Sequence, residues 1–368
     1  MRPKYLYGAA FSLILLLGLS ACSSVTTKEE ISSGVIDADN PNIQYVGRFD
    51  FSNPKKVKFD WPGVYISANF EGTTCAVRLN DHKNEYAVVI DQSAPKLLTT
   101  DTSSIYQVAS GLTDSIPHTI KIVKRTEAFV GVGEFDGLIL DKGKKLLPPN
   151  KKSGRRIEFI GNSITCAYGV EGDSANCHFS PQTENANMSY AAIVSRALNA
   201  DYSLVAYSGR GVVRNYGDVN KTSKDPMPAL YDRICFNDSN SKWNFSKWIP
   251  QAVVINLGTN DFSTKPFPDK DVFQNAYFQL INRVRGLYPG VMIFCICGPM
   301  IGEPCMSYVK EVVTNEQKNK RVKDVFFIPI DRSVMEQGDW GCDWHPSITG
   351  MMKMTDAIIP VIRTRMNW

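Results

Sequence analysis

The chain has 368 residues, which is room for two domains of ordinary size. Hydrophobic residues make up 43% of it and charged residues 21%, a composition that excludes a mainly disordered chain and a protein with many membrane spans. The formal net charge of +4 is too close to neutral to indicate a nucleic-acid partner.

The N-terminal segment has the proportions of an export signal. Arg2 and Lys4 precede an apolar stretch at 9–19 that is too short for a comfortable membrane span. The stretch ends in Leu19-Ser-Ala-Cys22, which resembles a bacterial lipobox. We therefore predict that residues 1–21 are a lipoprotein signal peptide and that Cys22 is the lipidated first residue of the mature protein. A plain secretory signal with an incidental cysteine is the alternative.

Cleavage at this position would remove two basic residues and leave a net charge of +2. Residues 22–40 are polar and predict a flexible tether. Ser23 and Ser24 follow the cysteine with no Asp at the second position, which in a bacterium with two membranes favours the outer membrane. The prediction is an exported bacterial lipoprotein at the outer membrane or cell surface, held there through its lipid anchor alone.

Residues 41–147 predict an all-β domain. Short runs with alternating or β-branched character occur at 63–70, 75–79, 86–90 and 118–123. Turn residues separate these runs and no good amphipathic helix lies between them, which is typical of a β-sandwich. A Pro- and charge-rich stretch at 148–156 then predicts a linker.

Residues 157–368 predict an α/β domain. Five apolar strand candidates lie at 157–160, 203–207, 252–257, 292–297 and 325–330. Helical stretches alternate with them, the clearest at 271–287, another after Asn187 and the last from about 347 towards 363. This alternation indicates a five-stranded parallel sheet with helices on both faces, a three-layer α/β/α fold.

Three small motifs follow strands of this predicted sheet. Ser163 stands in Ile160-Gly-Asn-Ser-Ile-Thr165, the second motif is Tyr207-Ser-Gly-Arg-Gly-Val212, and Asn260 stands in Leu257-Gly-Thr-Asn-Asp261. Ligands of such sheets bind beyond the carboxyl ends of the strands. We therefore expect one shared site at this edge of the sheet.

A fourth motif, Gly341-Cys-Asp-Trp-His-Pro346, contains what a serine nucleophile needs. A serine hydroxyl requires an adjacent base, and the base requires a group that fixes its tautomer and stabilises the imidazolium. We assign Ser163 as the nucleophile, His345 as the base and Asp343 as the orienting acid.

The negative oxygen that develops on an attacked carbonyl needs preorganised donors. We expect the backbone N–H of Ser163 and the side-chain amide of Asn260 to be two of them. The third is a glycine N–H of the second motif, with Gly211 preferred and Gly209 as the alternative. Asp261 is expected to support the loop.

Three further histidines offer little competition for the role of base. His82 and His118 lie in the predicted sandwich, and His178 lies in a polar loop without an acidic neighbour at useful spacing. No histidine has metal-ligand spacing, so we expect neither a metal nor another cofactor.

Aromatic residues flank the proposed site. Tyr168 follows the nucleophile and Trp344 precedes the histidine. Such rings can stack on sugars, so we take both as candidate substrate-binding residues, although core packing is an equal alternative.

Eight cysteines remain after Cys22, an even number in an exported protein. Cys166 with Cys177, and Cys305 with Cys342, are candidate pairs, although sequence alone does not fix the pairing. The two cysteines of the apolar stretch 292–297 are better explained as buried free thiols.

The four motifs together resemble the blocks of the SGNH (GDSL-type) hydrolases, in which Ser, Gly, Asn and His each head one block. Ser163, Gly211, Asn260 and His345 take those places. The first block reads Gly-Asn-Ser rather than the commoner Gly-Asp-Ser, and the acid precedes the histidine by two positions rather than three. Both departures are those expected of carbohydrate esterase family two, which the chain resembles over nearly its whole mature length.

This resemblance implies a jelly-roll sandwich followed by an SGNH-hydrolase domain. It also implies a serine esterase that removes O-acetyl groups from polysaccharides or oligosaccharides of the acetylxylan or glucomannan type, through an acetyl-enzyme. Some members of the family use a Ser-His pair and a backbone carbonyl, so a triad and a pair both stay open here.

Two other functions are compatible with the sequence. One is an SGNH esterase that acts on lipid or peptidoglycan esters, and the other is a non-catalytic glycan-binding lipoprotein. The expected partner is an acetylated polysaccharide or oligosaccharide, with no nucleic acid.

Overall fold

The computed structural model describes residues 33–319 and 323–368. The predicted signal peptide and the lipidation site Cys22 lie outside these residues. In the described part of the chain an antiparallel β-sandwich precedes a parallel α/β domain, as the sequence predicts. No helix in this part combines the length and the apolar character that a membrane span requires.

Two antiparallel sheets form the sandwich. The first sheet consists of β1 (Ser33–Asp37), β3 (Val57–Phe59), β5 (Cys75–Asn80), β8 (Ile105–Ala109) and β10 (Gly133–Asp141). The second consists of β2 (Gln44–Val46), β4 (Tyr65–Phe70), β6 (Glu85–Ile90), β7 (Lys96–Thr99), β9 (His118–Lys124) and β11 (Leu146–Leu147). Their orders are β1-β10-β5-β8, with β3 also on β10, and β11-β4-β9-β6-β7, with β2 also on β4.

Alternating side chains of the two sheets fill the space between them. Val77 and Leu79 of β5 are buried in the same apolar cluster as Ile120 and Ile122 of β9. The alternation of apolar and polar residues that predicted these strands therefore corresponds to the side chains that point into the core.

Strand β1 corrects the predicted tether of residues 22–40 from Ser33 onward, and residues 22–32 lie outside the described part of the chain. Its backbone pairs with β10, with Val35 opposite Ile139. Val35 is 54% exposed, so the strand is held by backbone hydrogen bonds along a sheet edge rather than by an apolar face. Such a strand leaves almost no signal in the hydropathy pattern.

The second domain is built on the predicted five-stranded parallel sheet. Its strands are β12 (Arg156–Gly161), β13 (Asp201–Ala206), β14 (Ala252–Asn256), β15 (Met292–Ile296) and β16 (Val325–Ile328). Their order is β13-β12-β14-β15-β16. The strand order reverses beside β12, and this places the ends of β12, β13 and β14 next to one another.

Helices cover both faces of this sheet. The helices are α1 (Ser163–Cys166), α2 (Tyr190–Ala197), α3 (Met227–Leu230), α4 (Lys270–Leu287), α5 (Cys305–Asn319) and α6 (Ile348–Met366). Side chains of α2 and α6 share one apolar cluster with one face of the sheet, and those of α4 and α5 share another with the opposite face. The sequence predicted α2, α4 and α6 but not α5.

The two domains pack through buried polar contacts. Arg48 of the sandwich is fully buried and its guanidinium lies 3.1 Å from the Glu158 carboxylate of β12. The buried Asp60 carboxylate accepts the backbone N–H groups of Phe236 and Asn237 at 2.9 and 3.1 Å. These contacts fix the sandwich beside the α/β domain.

The disulfide differs from both predicted pairs. Cys177 is bonded to Cys342 across 165 residues of sequence. Cys166 is a buried free thiol in α1, and Cys305 is a buried free thiol whose Sγ lies 3.5 Å from that of Cys297. The predicted pairs were chosen from positions in the sequence. The fold instead brings the loop after α1, which carries Cys177, against the loop before α6, which carries Cys342.

Candidate active site

The motifs meet at one edge of the parallel sheet. Ser163 follows β12, Gly209 follows β13, Asn260 follows β14, and His345 lies just before α6. Together they line a cavity of about 730 Å³. The structure therefore brings these four sequence motifs into one site.

Local geometry explains the Gly-Asn-Ser sequence around the nucleophile. A Cβ on Gly161 would lie 2.0 Å from Thr165 Oγ1, so only glycine allows this tight turn. The Asn162 side chain accepts the Ile164 N–H at 3.1 Å and caps α1. Ser163 is then the first residue of that helix, and its hydroxyl faces the cavity.

His345 is in position to act as the base. Its Nε2 lies 2.8 Å from Ser163 Oγ, and its Nδ1 lies 3.1 Å from the backbone carbonyl oxygen of Asp343. A carbonyl only accepts, so Nδ1 carries the proton and Nε2 has the free lone pair. Burial disfavours the imidazolium and lowers the pKa of His345 to about 4.

The Asp343 carboxylate does not meet the imidazole, which corrects its predicted contact. It accepts the Tyr168 hydroxyl at 3.0 Å, the Phe179 N–H at 3.0 Å and His178 Nδ1 at 2.9 Å. Partial burial opposes ionisation, but the hydrogen bonds from His178, Phe179 and Tyr168 together hold its pKa below the ordinary value. Sequence spacing offers His178 no acidic neighbour, but the fold supplies one in Asp343, 165 residues away in sequence.

An unusual backbone explains this arrangement. Asp343 and Trp344 are consecutive non-glycine residues with φ of 52° and 59°, a region that L-residues adopt at a cost. The Asp343 N–H donates to Cys177 O at 2.9 Å, and the Trp344 N–H donates to Ala175 O at 3.2 Å. The adjoining disulfide and these bonds hold the turn, which presents the carbonyl, and not the carboxylate, to His345.

Donors for an oxyanion converge on the same cavity. Asn260 Nδ2 donates one hydrogen to Arg210 O at 2.9 Å, which leaves its second hydrogen for a ligand. The backbone N–H groups of Ser163 and Gly209 have no acceptor among the described residues. These three groups are suited to stabilise a negative oxygen here.

Gly211, which the sequence analysis preferred over Gly209, occupies a different place. It is buried, does not line the cavity, and its N–H faces Asn215 Oδ1 at 3.3 Å. Gly209 lines the cavity, with φ of 77°. The geometry therefore favours Gly209 as the glycine donor.

Asp261 supports this loop, as expected. Its buried carboxylate accepts the N–H groups of Val212, Val213 and Arg214 at 2.8 to 3.1 Å. Burial raises the pKa of Asp261 to about 6, although these hydrogen bonds oppose the rise.

The two candidate sugar-binding rings are placed differently. Tyr168 lines the cavity, and its ring lies 4.3 Å from that of His345, between centroids. Trp344 is 50% exposed and does not line the cavity. The walls instead include Phe129 of the sandwich and Tyr216, which is 70% exposed. Neither carries a sequence signal, since Phe129 lies outside the catalytic domain and Tyr216 lies in an irregular loop.

One group of potential metal ligands lies among the described residues. It consists of Glu127, Cys166 and Glu184, all buried. Both Glu127 oxygens already accept hydrogen bonds from Ser208, so the group is a hydrogen-bonded cluster rather than an open coordination site. The absence of a metal cofactor remains a prediction.

Two family profiles match the chain, one in each domain. Residues 45–149 match the family described as carbohydrate esterase 2 N-terminal. Residues 159–352 match the GDSL-like lipase/acylhydrolase family.

Proteins of known activity are similar over most of the chain. Cellulase/esterase CelE of Acetivibrio thermocellus is 42% identical over 340 residues, which is 90% of this chain but 40% of CelE. An acetylxylan esterase/glucomannan deacetylase of Cellvibrio japonicus is 26% identical over 98% of this chain and 97% of its own. The chain thus spans less than half of CelE.

A solved structure has the same fold. It is a family two carbohydrate esterase from Clostridium thermocellum in complex with cellohexaose. Its sequence is 40% identical, the match covers 89% of this chain and 99% of that one, and the TM-score is 0.82.

Proposed function

The chain belongs to carbohydrate esterase family two, and from that membership we propose that it is a serine esterase that removes O-acetyl groups from polysaccharides or oligosaccharides. The observation that carries the proposal is the 2.8 Å contact between His345 Nε2 and Ser163 Oγ at the wall of an open cavity. Unpartnered donors at the same wall supply the second requirement of acyl transfer.

The reaction begins at Ser163. His345 takes the hydroxyl proton on Nε2 while Oγ attacks the acetyl carbonyl carbon. The negative oxygen is stabilised by the N–H groups of Ser163 and Gly209 and by the Asn260 amide. The tetrahedral intermediate then collapses, the C–O bond to the sugar breaks, and His345 returns the proton to the sugar oxygen.

Water completes the cycle. His345 removes a proton from the water as the water oxygen attacks the acetyl-enzyme. The bond from the acyl carbon to Ser163 Oγ then breaks, Oγ takes the proton back from His345, and acetate is released. Throughout, the Asp343 carbonyl holds the imidazole by its Nδ1 proton. This is the chemistry of a Ser-His pair.

A sugar ester suits the lining of the cavity. Its walls combine polar groups with the exposed rings of Phe129 and Tyr216, and aromatic faces pack well against sugar rings. Acetylated xylan and glucomannan are the first substrates to test, because the names of the Cellvibrio japonicus relative refer to them.

Acetate release tests the proposal. The soluble form that lacks residues 1–22 is incubated with acetylated xylan, acetylated glucomannan and 4-nitrophenyl acetate, beside Ser163→Ala. Ser195→Ala is the matched control, because Ser195 is a buried serine of α2 whose hydroxyl donates to Ala191 O at 2.8 Å, away from the cavity. We expect release by the parent and by Ser195→Ala, and none above background by Ser163→Ala.

The same assay separates the other functions. No release from any ester by a folded protein that still binds xylan oligosaccharides would replace the esterase by a glycan-binding protein. Faster turnover of lipid or peptidoglycan esters than of acetylated saccharides would instead favour a different substrate class.

We further propose that the protein is an exported lipoprotein anchored through Cys22. The support is the Leu-Ser-Ala-Cys sequence at 19–22 after a short apolar stretch. Metabolic labelling with a fatty-acid analogue should mark the parent chain and not Cys22→Ser, and fractionation should show which membrane holds it. Absence of label in a secreted parent chain would indicate a plain signal peptide.

A further inference from the structure

A buried acidic pair lies against the two segments that carry the backbone donors of the proposed oxyanion site. Glu127 lies in the segment after β9 of the sandwich, and Glu184 lies between α1 and α2; both are fully buried. The Glu127 backbone N–H donates to Glu184 Oε2 at 3.0 Å. One carboxylate oxygen of each and Cys166 Sγ lie within 4.8 Å of one another, and Cys166 belongs to the same short helix as Ser163.

Glu127 directs both of its carboxylate oxygens at one residue. Its Oε2 accepts the Ser208 N–H at 2.6 Å, and its Oε1 accepts the Ser208 hydroxyl. Ser208 immediately precedes Gly209, whose N–H has no acceptor among the described residues. The orientation of that N–H is set by the Ser208 backbone, which Glu127 holds.

Ionisation is disfavoured at both carboxyl groups, and more strongly at Glu184 than at Glu127. Burial, and then the neighbouring charge of Glu127, raise the pKa of Glu184 well above its ordinary value. Burial also raises the pKa of Glu127, but the hydrogen bonds from Ser208 oppose that rise. Buried Lys124, whose Nζ donates to the backbone oxygen of Glu127 at 3.2 Å, opposes the rise in the pKa of both carboxyl groups. A carboxylate that is charged and desolvated makes strong hydrogen bonds.

We propose that Glu127, a residue of the sandwich domain, is a positioning residue for acyl transfer: by clamping Ser208 it aims the Gly209 N–H at the developing oxyanion. The sandwich then contributes to the catalytic site in two ways: Glu127 positions an oxyanion donor, and Phe129 lines the cavity. This inference rests on the proposed esterase activity.

A volume-matched pair of substitutions separates the clamp from simple packing. Glu127→Met fills the same space without a hydrogen-bond acceptor. Glu127→Gln keeps an oxygen that accepts the Ser208 N–H, and its NH₂ group can donate to the oxygen of the Ser208 hydroxyl. Complete loss of an oxyanion donor costs about 10²- to 10³-fold in kcat, so a misdirected donor should cost at least about tenfold. We expect Glu127→Met to show that loss with little change in KM, and Glu127→Gln to recover most of kcat.

Glu85→Met is the matched control. Glu85 is also a buried carboxylate of the sandwich, 1% exposed, and it also reaches the catalytic domain, where it accepts Gln182 Nε2 at 3.2 Å. It contacts no residue of the proposed site. Thermal unfolding of each full-length variant shows that it is folded, and Glu85→Met should keep the parent kcat.

An arylboronate, which forms a tetrahedral adduct with the serine, tests the oxyanion site itself. Its inhibition constant should rise in Glu127→Met by the factor that kcat/KM falls. The inference is overturned if Glu127→Met and Glu85→Met lose the same activity, or if the loss lies in KM. If Glu127→Met does not fold, Glu127→Asp is measured instead. Its side chain is shorter by one methylene, which moves the carboxylate away from Ser208, so the inference requires the same loss of kcat. A parent protein without esterase activity would instead refute the proposed function.

Discussion

His345 Nδ1 lies 3.1 Å from the backbone carbonyl oxygen of Asp343, while the carboxylate of that aspartate accepts other donors. A carbonyl dipole fixes the imidazole tautomer as well as a carboxylate does. It stabilises the imidazolium less, because it carries no net charge. The low pKa of His345 agrees with this arrangement.

Replacement of Asp343 should therefore cost less than replacement of a triad acid. Asp343→Ala removes the acceptor of Tyr168, Phe179 and His178 but leaves its own carbonyl. We expect kcat/KM for 4-nitrophenyl acetate to fall by no more than about a hundredfold, against about 10⁴-fold when the acid of a true triad is lost. His345→Ala, measured in parallel, should lose nearly all activity.

Asp91→Ala is the control for this substitution. Asp91 also has positive φ, of 55°, and its carboxylate contacts His118 Nδ1 at 2.9 Å and the Thr119 N–H at 2.8 Å, all within the sandwich. It should leave kcat/KM unchanged. A loss for Asp343→Ala as large as for His345→Ala would show that the carboxylate acts on the imidazole after all.

The acid limb of the pH profile should lie unusually low. Nε2 of His345 accepts the Ser163 proton only when the imidazole is neutral, so activity is lost as pH falls through the pKa of the histidine. Because burial lowers that pKa to about 4, kcat/KM for acetate release should be constant above about pH 5.5 and halve near pH 4. A midpoint near 6.5, the ordinary value for histidine, would contradict the buried, carbonyl-bonded imidazole.

Strong periodicity made much of the fold predictable. The strand of β14, Ala252–Asn256, is wholly buried and appeared as an unbroken apolar run. Helix α4 buries Phe273, Tyr277 and Leu280 at helical spacing. Helix α5 also buries Val309, Val312 and Val313 at helical spacing. The sequence prediction overlooked this short apolar stripe because most of the other residues of the segment are charged or polar.

The parts of the site that the sequence did not reveal depend on distant contacts. Phe129 and Glu127 come from the sandwich, and no pattern in their own segment relates them to Ser163. The choice between Gly209 and Gly211 depends on which N–H is already occupied, which is a matter of loop geometry. Likewise, the positive φ of Asp343 decides which of its oxygens meets the histidine.

The Cys177–Cys342 disulfide should stabilise both the protein and its catalytic turn. It joins loops 165 residues apart next to Asp343, and removal of a native disulfide typically costs about 2–5 kcal/mol. We expect the double variant Cys177→Ser with Cys342→Ser to have a lower Tm and lower kcat. Dithiothreitol should bring the parent to the same Tm and leave the double variant unchanged, whereas a parent unaffected by dithiothreitol, with both thiols alkylated, would disprove this role.

Arg48 should be essential for the association of the two domains. Its buried guanidinium pairs with Glu158 and also donates to the backbone carbonyls of Tyr231 and Arg233. Arg48→Met leaves the Glu158 charge buried without its partner, which typically costs about 3–5 kcal/mol. We expect a lower urea midpoint of unfolding, measured by tryptophan fluorescence, that corresponds to this loss of stability.

Two further variants show whether the lost partner or the lost packing is responsible. Arg48→Met with Glu158→Leu removes both charges and should recover part of the stability, because no buried charge remains unpaired. Lys55→Met removes a cation whose pair with Asp37 is exposed, at 63% and 39%, and should leave the midpoint unchanged. If Arg48→Met alone behaves like Lys55→Met, the buried pair does not hold the sandwich to the sheet, and the apolar contacts between the domains must do so.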